Sequence, residues 1–295
     1  MTRTAKERRA ENARQAKVAE IRAAEKRRRA RLQLVFGAVG LVLLVVIVMV
    51  AVKIAGGNNQ GGPSTAASSA VVRGATTVPV SVFDKVGAGT VQSPPQRING
   101  QPSAPGTLPK ILYVGAEYCP YCAGERWAVV AALSRFGTFK GLGRTFSSST
   151  DVFPSTATLS FHGSSYASKY VQFNGYEQQD RSGNKLDAVP PKDLAIVEKF
   201  DSPPFVPASS KGSIPFLYVD GKYVISGASY NVGLLQHMTH QAIVKSMADP
   251  NTDAGQAIVG TANLLTAAIC ATTNNKPGNV CTSAGVSAAA KKLAK

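Results

Sequence analysis

The apolar and polar positions of the chain fall into stretches of different period. Residues 34 to 52, LVFGAVGLVLLVVIVMVAV, carry no charge. At about 1.5 Å rise per residue they make roughly 28 Å of helix, enough to cross a hydrocarbon core about 30 Å thick. A transmembrane helix over 34–54 is the expectation. A secretory leader begins in the same way, but this run exceeds the usual apolar core of a signal peptide, a long basic leader precedes it, and no small-x-small cleavage site precedes the linker. The segment therefore reads as an uncleaved anchor. Residues 55–73, AGGNNQGGPSTAASSAVVR, are rich in Gly, Ser, Asn and Ala with no periodic apolar face, the composition of a flexible linker.

From 74 to about 109 the chain is rich in Gly and Pro, and the short run VPVSVF predicts one strand. Ile111, Leu112, Tyr113 and Val114 form an apolar run between Pro109 and Gly115, consistent with a strand buried on both faces. Beyond Cys119, Val129, Val130, Leu133 and Phe136 recur at helical spacing until Gly137. TLSF (158–161) and KYVQFNGY (169–176) read as strands, and PPKDLAIVEKF (190–200) as a short helix with Pro near its start. IPFLYVDGKYVISG (214–227) is two strand-like runs around Asp220-Gly221, a strong hairpin signal. Residues 232–248 predict a helix with Leu234, Leu235, Met238, Ile243, Val244 and Met247 on its apolar face, and 253–271 predict an alanine-rich helix. This alternation gives an α/β layered domain over 74–248, followed by a helical C-terminal extension over 249–295.

Charge gives the chain a direction. The formal net charge is +16, and residues 1–31 alone hold twelve Lys/Arg against four Glu. Such a block could be a helix that binds nucleic acid or anionic lipid. Next to an apolar span it reads as a topology determinant: a basic cytoplasmic segment over 1–33, with everything after the span outside the membrane. The lipid bilayer is then an expected partner and nucleic acid is not. Outside the cytoplasm, thiols can oxidise and remain oxidised.

Two of the four cysteines stand in GAEYCPYCAGERW, at the predicted strand-to-helix junction. A cysteine at a helix N-terminus faces free backbone N–H groups and the positive end of the dipole, which favour its thiolate. Pro120 falls in the first turn, where a missing N–H does no harm. Cys119 is therefore the candidate nucleophile. Cys122, one turn on, is placed to attack a mixed disulfide on Cys119 and release its partner. Glu117, Tyr118 and Tyr121 are expected around the sulfur. A zinc site would need four ligands; His237 and His240 could supply two, but they read as the exposed side of their helix, and His162 stands alone. No metal and no cofactor are expected. Cys270 and Cys281 bracket CATTNNKPGNVC and read as a structural disulfide, worth about 3 kcal/mol in the chain-entropy model; the alternative is a second redox pair.

Taken together, the strand ILYVGAEY, the CPYC opening a helix and the later SIPFLYVDGKY resemble the thioredoxin superfamily. The resemblance implies a thioredoxin-like fold in which Cys119 attacks, Cys122 resolves, and Pro215 is a cis-proline packed beside the pair, exposing backbone for substrate pairing. The 96 positions from Cys119 to Pro215 exceed a minimal member's spacing, which implies an insertion within about 137–190. Tyr113 stands in the strand where such proteins keep a buried acid. The exported part, including GAEYCPYCAGERW, also resembles an uncharacterised family of membrane-anchored thioredoxin-like proteins. The expected activity is thiol–disulfide exchange with cysteines of exported proteins, served by a membrane or thioredoxin-like redox partner. The alternatives are a redox-inactive envelope interaction module on the same fold and a metal-binding CxxC protein. The charge asymmetry generates a test: a reporter active only outside the membrane, fused after residue 295, is expected to be active. Activity confined to a cytoplasmic reporter would reverse the assigned orientation.

Overall fold

A computed structural model of the chain describes residues 64–293. The expectations for the basic segment 1–33, the transmembrane helix 34–54 and the linker up to residue 63 lie outside the described residues.

The architecture is mixed α/β, and its centre is the strand β3 (Lys110–Gly115), where Ile111 and Tyr113 point to one face and Leu112 and Val114 to the other. Three further elements of the sheet carry the same alternation or pair beside it: β8 (Gln172–Glu177), β9 (Phe216–Val219) and β10 (Tyr223–Ser226). With β2 (Gln96–Arg97) they form a five-stranded sheet in the order β2-β10-β9-β3-β8, in which β3 and β8 run parallel and the other pairs antiparallel. Leu217, Val219 and Ile225 join Ile111 and Tyr113 on one face; Phe216, Tyr218 and Val224 join Leu112 and Val114 on the other. An apolar run buried on both sides, as β3 is, therefore sits mid-sheet, between β9 and β8.

Helices cover both faces. On the first lie α3 (Pro120–Leu133) and α6 (Asp253–Thr272), which pack on each other. On the second lies α4 (Pro191–Phe200), which contributes Ile196, Val197 and Phe200. The segment after α3 adds two small antiparallel sheets. One pairs β4 (Gly137–Lys140) with β7 (Ser165–Ser168); the other orders β1-β5-β6 from Thr65–Ala66, Gly143–Phe146 and Ala157–Ser160.

The remaining helices are α1 (Ser69–Thr76), α2 (Val80–Val86), α5 (His240–Met247), α7 (Gly278–Cys281) and α8 (Ala284–Leu293). Several differ from the sequence expectation. The linker composition continues to residue 73, yet β1 and α1 occupy its end, because Val71 and Ala75 bury one face against the core and the Ser68 hydroxyl caps the helix. VPVSVF is helical, since Val82, Phe83 and Val86 are buried at helical spacing after Pro79. The helix expected over 232–248 is broken: a 3-10 turn spans Val232–Leu235, His237 takes φ +63°, and Thr239 Oγ1 accepts the Ala242 N–H to start α5.

The C-terminal part is helical but not an appendage. The described residues 64–293 belong to one compact unit, and α6 is buried almost throughout. It is apolar and long enough to cross a membrane, yet it is a core helix. Inside it, Asn263 Nδ2 donates to the carbonyls of Phe83 and Gly87, both at 2.8 Å, while its Oδ1 accepts from Arg135 Nη1 at 3.1 Å. One amide thereby satisfies the C-terminal end of α2 and the cation just after α3. Cys270 and Cys281 are bonded to each other, Cα–Cα 5.7 Å, joining the end of α6 to α7.

Gly260 in α6 lets the turn at Ala88-Gly89 approach: an added Cβ would stand 2.8 Å from Ala88 O and from Gly89 Cα. Gly→Ala inside an unobstructed helix ordinarily gains about 0.5–1 kcal/mol. Here Gly260→Ala is expected to lose about 2 kcal/mol, whereas Gly278→Ala, with open space at its Cβ, should stay within about 0.5 kcal/mol of the parent. Thermal unfolding of the two variants checks the contrast; equal effects would remove the close-approach argument.

Candidate active site

The end of β3 aims the chain at the start of α3. Cys119 is the N-cap, with extended φ −73° and ψ 122°, and its Sγ accepts the Cys122 N–H at 3.3 Å. Pro120 follows at the first helical position. The same sulfur, as a thiol, donates to the Ile214 carbonyl at 3.6 Å. The Ile214–Pro215 bond is cis, and Pro215 is buried at the start of β9. Helix α3 and the β9–β10 hairpin thus bring Cys119, Cys122 and Pro215 into one place, although 95 positions separate Cys119 from Ile214.

The two sulfurs, both free thiols, differ in environment. Cys122 is fully buried, and burial pushes its thiol well above the ordinary value, helped by its hydrogen bond to Cys119. Cys119 is lowered, first by the hydrogen bond from the Cys122 side chain and then by the Cys122 and Tyr121 backbone N–H groups and Arg126, against the opposing effect of burial. Cys119 is expected from its position at a helix tip to be open to solvent, but its exposure is only 5%, because the Ile214–Pro215 segment lies against it. What stands out beside it is Tyr121, 43% exposed, with its ring edge on Phe153.

Under the cysteines lies a buried ion pair. Arg126, one turn beyond Cys122, donates from Nε to Glu177 Oε1 and from Nη2 to Glu177 Oε2, both at 2.6 Å. Its Nη2 also donates to the Ala116 carbonyl at 2.6 Å, and Nη1 to Thr158 Oγ1 at 3.4 Å. Burial pushes the Glu177 carboxyl up while Arg126 pulls it back, and the two-point geometry holds the pair ionised. The guanidinium lies 5.9 Å from the Tyr113 ring centroid. Tyr113, where a buried acid is absent from the strand, is itself buried, and its hydroxyl has no partner among the described residues. The acids arrive from elsewhere: Glu177 from the end of β8 and Glu117 from the turn before Cys119. Glu117 turns inward, where Ser160 Oγ donates to its Oε1, while its Oε2 has no partner among the described residues.

Sequence reasoning expected Glu117 around the sulfur, whereas its carboxylate is buried against Ser160; Arg126 and Glu177 it missed. The readable signal was Glu125-Arg126, two charges inside the apolar run of α3. Glu125 faces Ser229, whose N–H and Oγ donate to its two oxygens at 2.9 Å each. His240 is also misplaced by periodicity: it is buried, with Nε2 at 3.0 Å from Thr145 O and 2.9 Å from Thr158 O, so it and exposed His237 do not form a ligand pair. His162 is not isolated, since its Nδ1 lies 2.7 Å from Asp187 Oδ1. Among the described residues no cluster of three or more His, Cys, Asp or Glu is placed to hold a metal.

A family model described as "Domain of unknown function (DUF929)" matches residues 94–271, more than half of the chain. The chain belongs to the DUF929 family. No curated protein and no solved structure matches it. The DUF929 region contains Cys119, Cys122, Arg126, Glu177 and Pro215, and it ends at Ala271, so the bond from Cys270 to Cys281 leaves the matched range. Helices α1, α2 and α8, which pack against the DUF929 core, lie outside it.

Burial pushes the Glu125 carboxyl from 4.5 up to about 7. A carboxyl raised on folding contributes stability that is fully present below the unfolded value of 4.5 and is lost as pH rises through 7. Glu125→Gln keeps a partner for Ser229 and has no charge to desolvate. The variant is therefore expected to gain on the parent between pH 4.5 and 7.5, by on the order of 3 kcal/mol. A stability difference that stays flat over that range would remove the assignment.

Proposed function

We propose that the protein is a thioredoxin-like thiol–disulfide oxidoreductase, anchored by the apolar span 34–54 and acting outside the membrane on cysteines of exported proteins. The single observation that carries this reading is the Cys119 sulfur, which caps α3, accepts the Cys122 N–H and lies against the carbonyl before cis-Pro215. The parallel β3–β8 pair, the antiparallel β9–β10 hairpin and helices on both faces of the sheet support the fold assignment.

In the disulfide form of the site, a substrate thiolate attacks Cys119, the Cys119–Cys122 bond breaks, and the electron pair goes to Cys122, which takes up a proton. A second substrate thiolate then attacks the mixed disulfide, the substrate disulfide forms, and Cys119 leaves as a thiolate. The reverse sequence starts with attack by Cys119 on a substrate disulfide and ends with Cys122 closing the pair. The lowered Cys119 suits both the leaving and the attacking role, and the raised, buried Cys122 suits the resolving one. Every interaction that favours the Cys119 thiolate stabilises the dithiol over the disulfide, which favours accepting electrons from substrates.

Opposite covalent behaviour of the two variants is the expected outcome. Cys122→Ser should accumulate thiol-sensitive adducts with exported proteins on non-reducing gels of membranes, and Cys119→Ser should lose exchange without accumulating them. Adducts absent from the first variant, or equal in both, would sink the roles. A metal site predicts loss of ion in both and trapping in neither.

A further inference from the structure

A cleft of about 600 Å³, a size common for small-molecule sites, reaches the residue that precedes Cys119. Tyr118, the residue before Cys119, forms one wall; the β5–β6 connection from Ser148 to Val152 and the loop Arg181–Gly183 form the others. These walls are tied together. The Ser148 N–H donates to the Tyr118 carbonyl at 2.8 Å, and Arg181 Nη2 donates to the Ser147 carbonyl at 3.0 Å.

The lining has a definite chemistry. Arg181 supplies a cation, Ser148, Ser149 and Thr150 supply hydroxyls, and Asp151 supplies a carboxylate at the exposed edge. Arg181 is 5% exposed, and its Nη1, itself buried, has no partner among the described residues. Its neighbour Asp180 does not answer it: that carboxylate accepts from the Ser182 and Asn184 N–H groups and from Asn184 Nδ2 within its own loop. Burial lowers the Arg181 guanidinium, and the Glu117 charge opposes part of that. A guanidinium with one unpaired nitrogen, three hydroxyls and one carboxylate match a ligand with an anionic and a cationic group close together.

We propose that this cleft binds a small zwitterionic disulfide of the amino-acid class, with its carboxylate on Arg181 and the hydroxyls, its ammonium on Asp151, and its sulfur presented to Cys119. The proposal rests on the thiol–disulfide reading of Cys119 and Cys122 and names the electron acceptor that restores their disulfide. The Cys119 thiolate attacks one ligand sulfur; the ligand S–S bond breaks, a mixed disulfide forms, and the first half leaves as a thiolate that takes a proton from water. Cys122 gives its proton to water and attacks the Cys119 sulfur, so that the Cys119–Cys122 bond forms, the bond from Cys119 to the ligand breaks, and the second half leaves as a thiolate that takes a proton from water. The dithiol is oxidised by two electrons, and the bound disulfide is reduced to two thiols.

The test uses the full-length protein in detergent, reduced, with three probes: cystine, cystamine, which lacks the carboxylates, and 3,3′-dithiodipropionate, which lacks the ammonium groups. Each oxidation rate is divided by the same probe's rate with free dithiothreitol. Cystine is expected to lead both others by about tenfold, the scale of one charge-assisted contact. Arg181→Gln should abolish the lead over cystamine, and Asp151→Asn the lead over dithiodipropionate. A general field of the basic protein would instead rank the probes by net charge, with cystine in the middle. That ranking, equal rates, or a cystine lead unchanged in both variants would overturn the cleft assignment while leaving the dithiol chemistry standing. Should Arg181→Gln fail to fold, the parent ranking and Asp151→Asn still decide. Oxidation of Cys119 and Cys122 by none of the probes would overturn the thiol–disulfide reading along with it.

Discussion

Two opposite charges, Arg126 and Glu177, are both fully withdrawn from water and hold each other by two hydrogen bonds. Either charge alone would be intolerable there, because removing one partner of such a pair leaves a buried charge worth about 3–5 kcal/mol of destabilisation. The pair therefore demands that α3, which carries Arg126, and β8, which carries Glu177, arrive in one geometry. The same guanidinium reaches the Ala116 carbonyl at the exit of β3 and the Thr158 hydroxyl on β6. Four elements thus converge on a single side chain, four residues beyond Cys122 in the same helix. The cation that fixes the turn also contributes to the fields felt by both sulfurs.

That arrangement separates two tasks within one short motif. The backbone at the tip of α3 serves Cys119, giving it an N–H donor and leaving its sulfur beside the chain before Pro215. The interior serves Cys122, which has no exposure and is made reluctant to ionise. The chain between α3 and β8 does not interrupt the central sheet; β5, β6 and their connection build a wall beside Tyr118 instead.

The elements legible in the sequence were those whose signal is local. An apolar run stopped by Gly115, a CPYC opening a helix, Asp220-Gly221 between two apolar runs, and a long alanine-rich helix each declare themselves within twenty residues or so, and the structure has β3, α3, β9–β10 and α6 there. What escaped depends on distant partners. Glu177 is 51 positions from Arg126, and nothing in QFNGYE announces that its last residue is an interior anion. His240 sits where helical periodicity continued from Leu234 assigns the exposed side, but the φ +63° at His237 resets the phase and sends the ring to Thr145 and Thr158. Ser, Ala and Gly around residue 70 look like tether because composition records no packing, yet Val71 and Ala75 find a neighbour in α5.

Helix α6 has twenty residues and a window of mean hydropathy 1.4, enough by length and composition to lodge in a bilayer, although 89% of that window is covered by the rest of the protein. For a nascent chain these are competing destinations. A segment leaving a translocation channel partitions into lipid when its apolar character outweighs its polar groups, and α6 carries Thr261, Asn263 and Thr266 along its middle. In the folded protein the Asn263 amide meets two carbonyls and a guanidinium; in hydrocarbon it would meet none of them. The polar residues of this core helix therefore weigh against lodging a spanning-length segment in hydrocarbon and favour its place in the core, where α2 and the residue after α3 supply their partners.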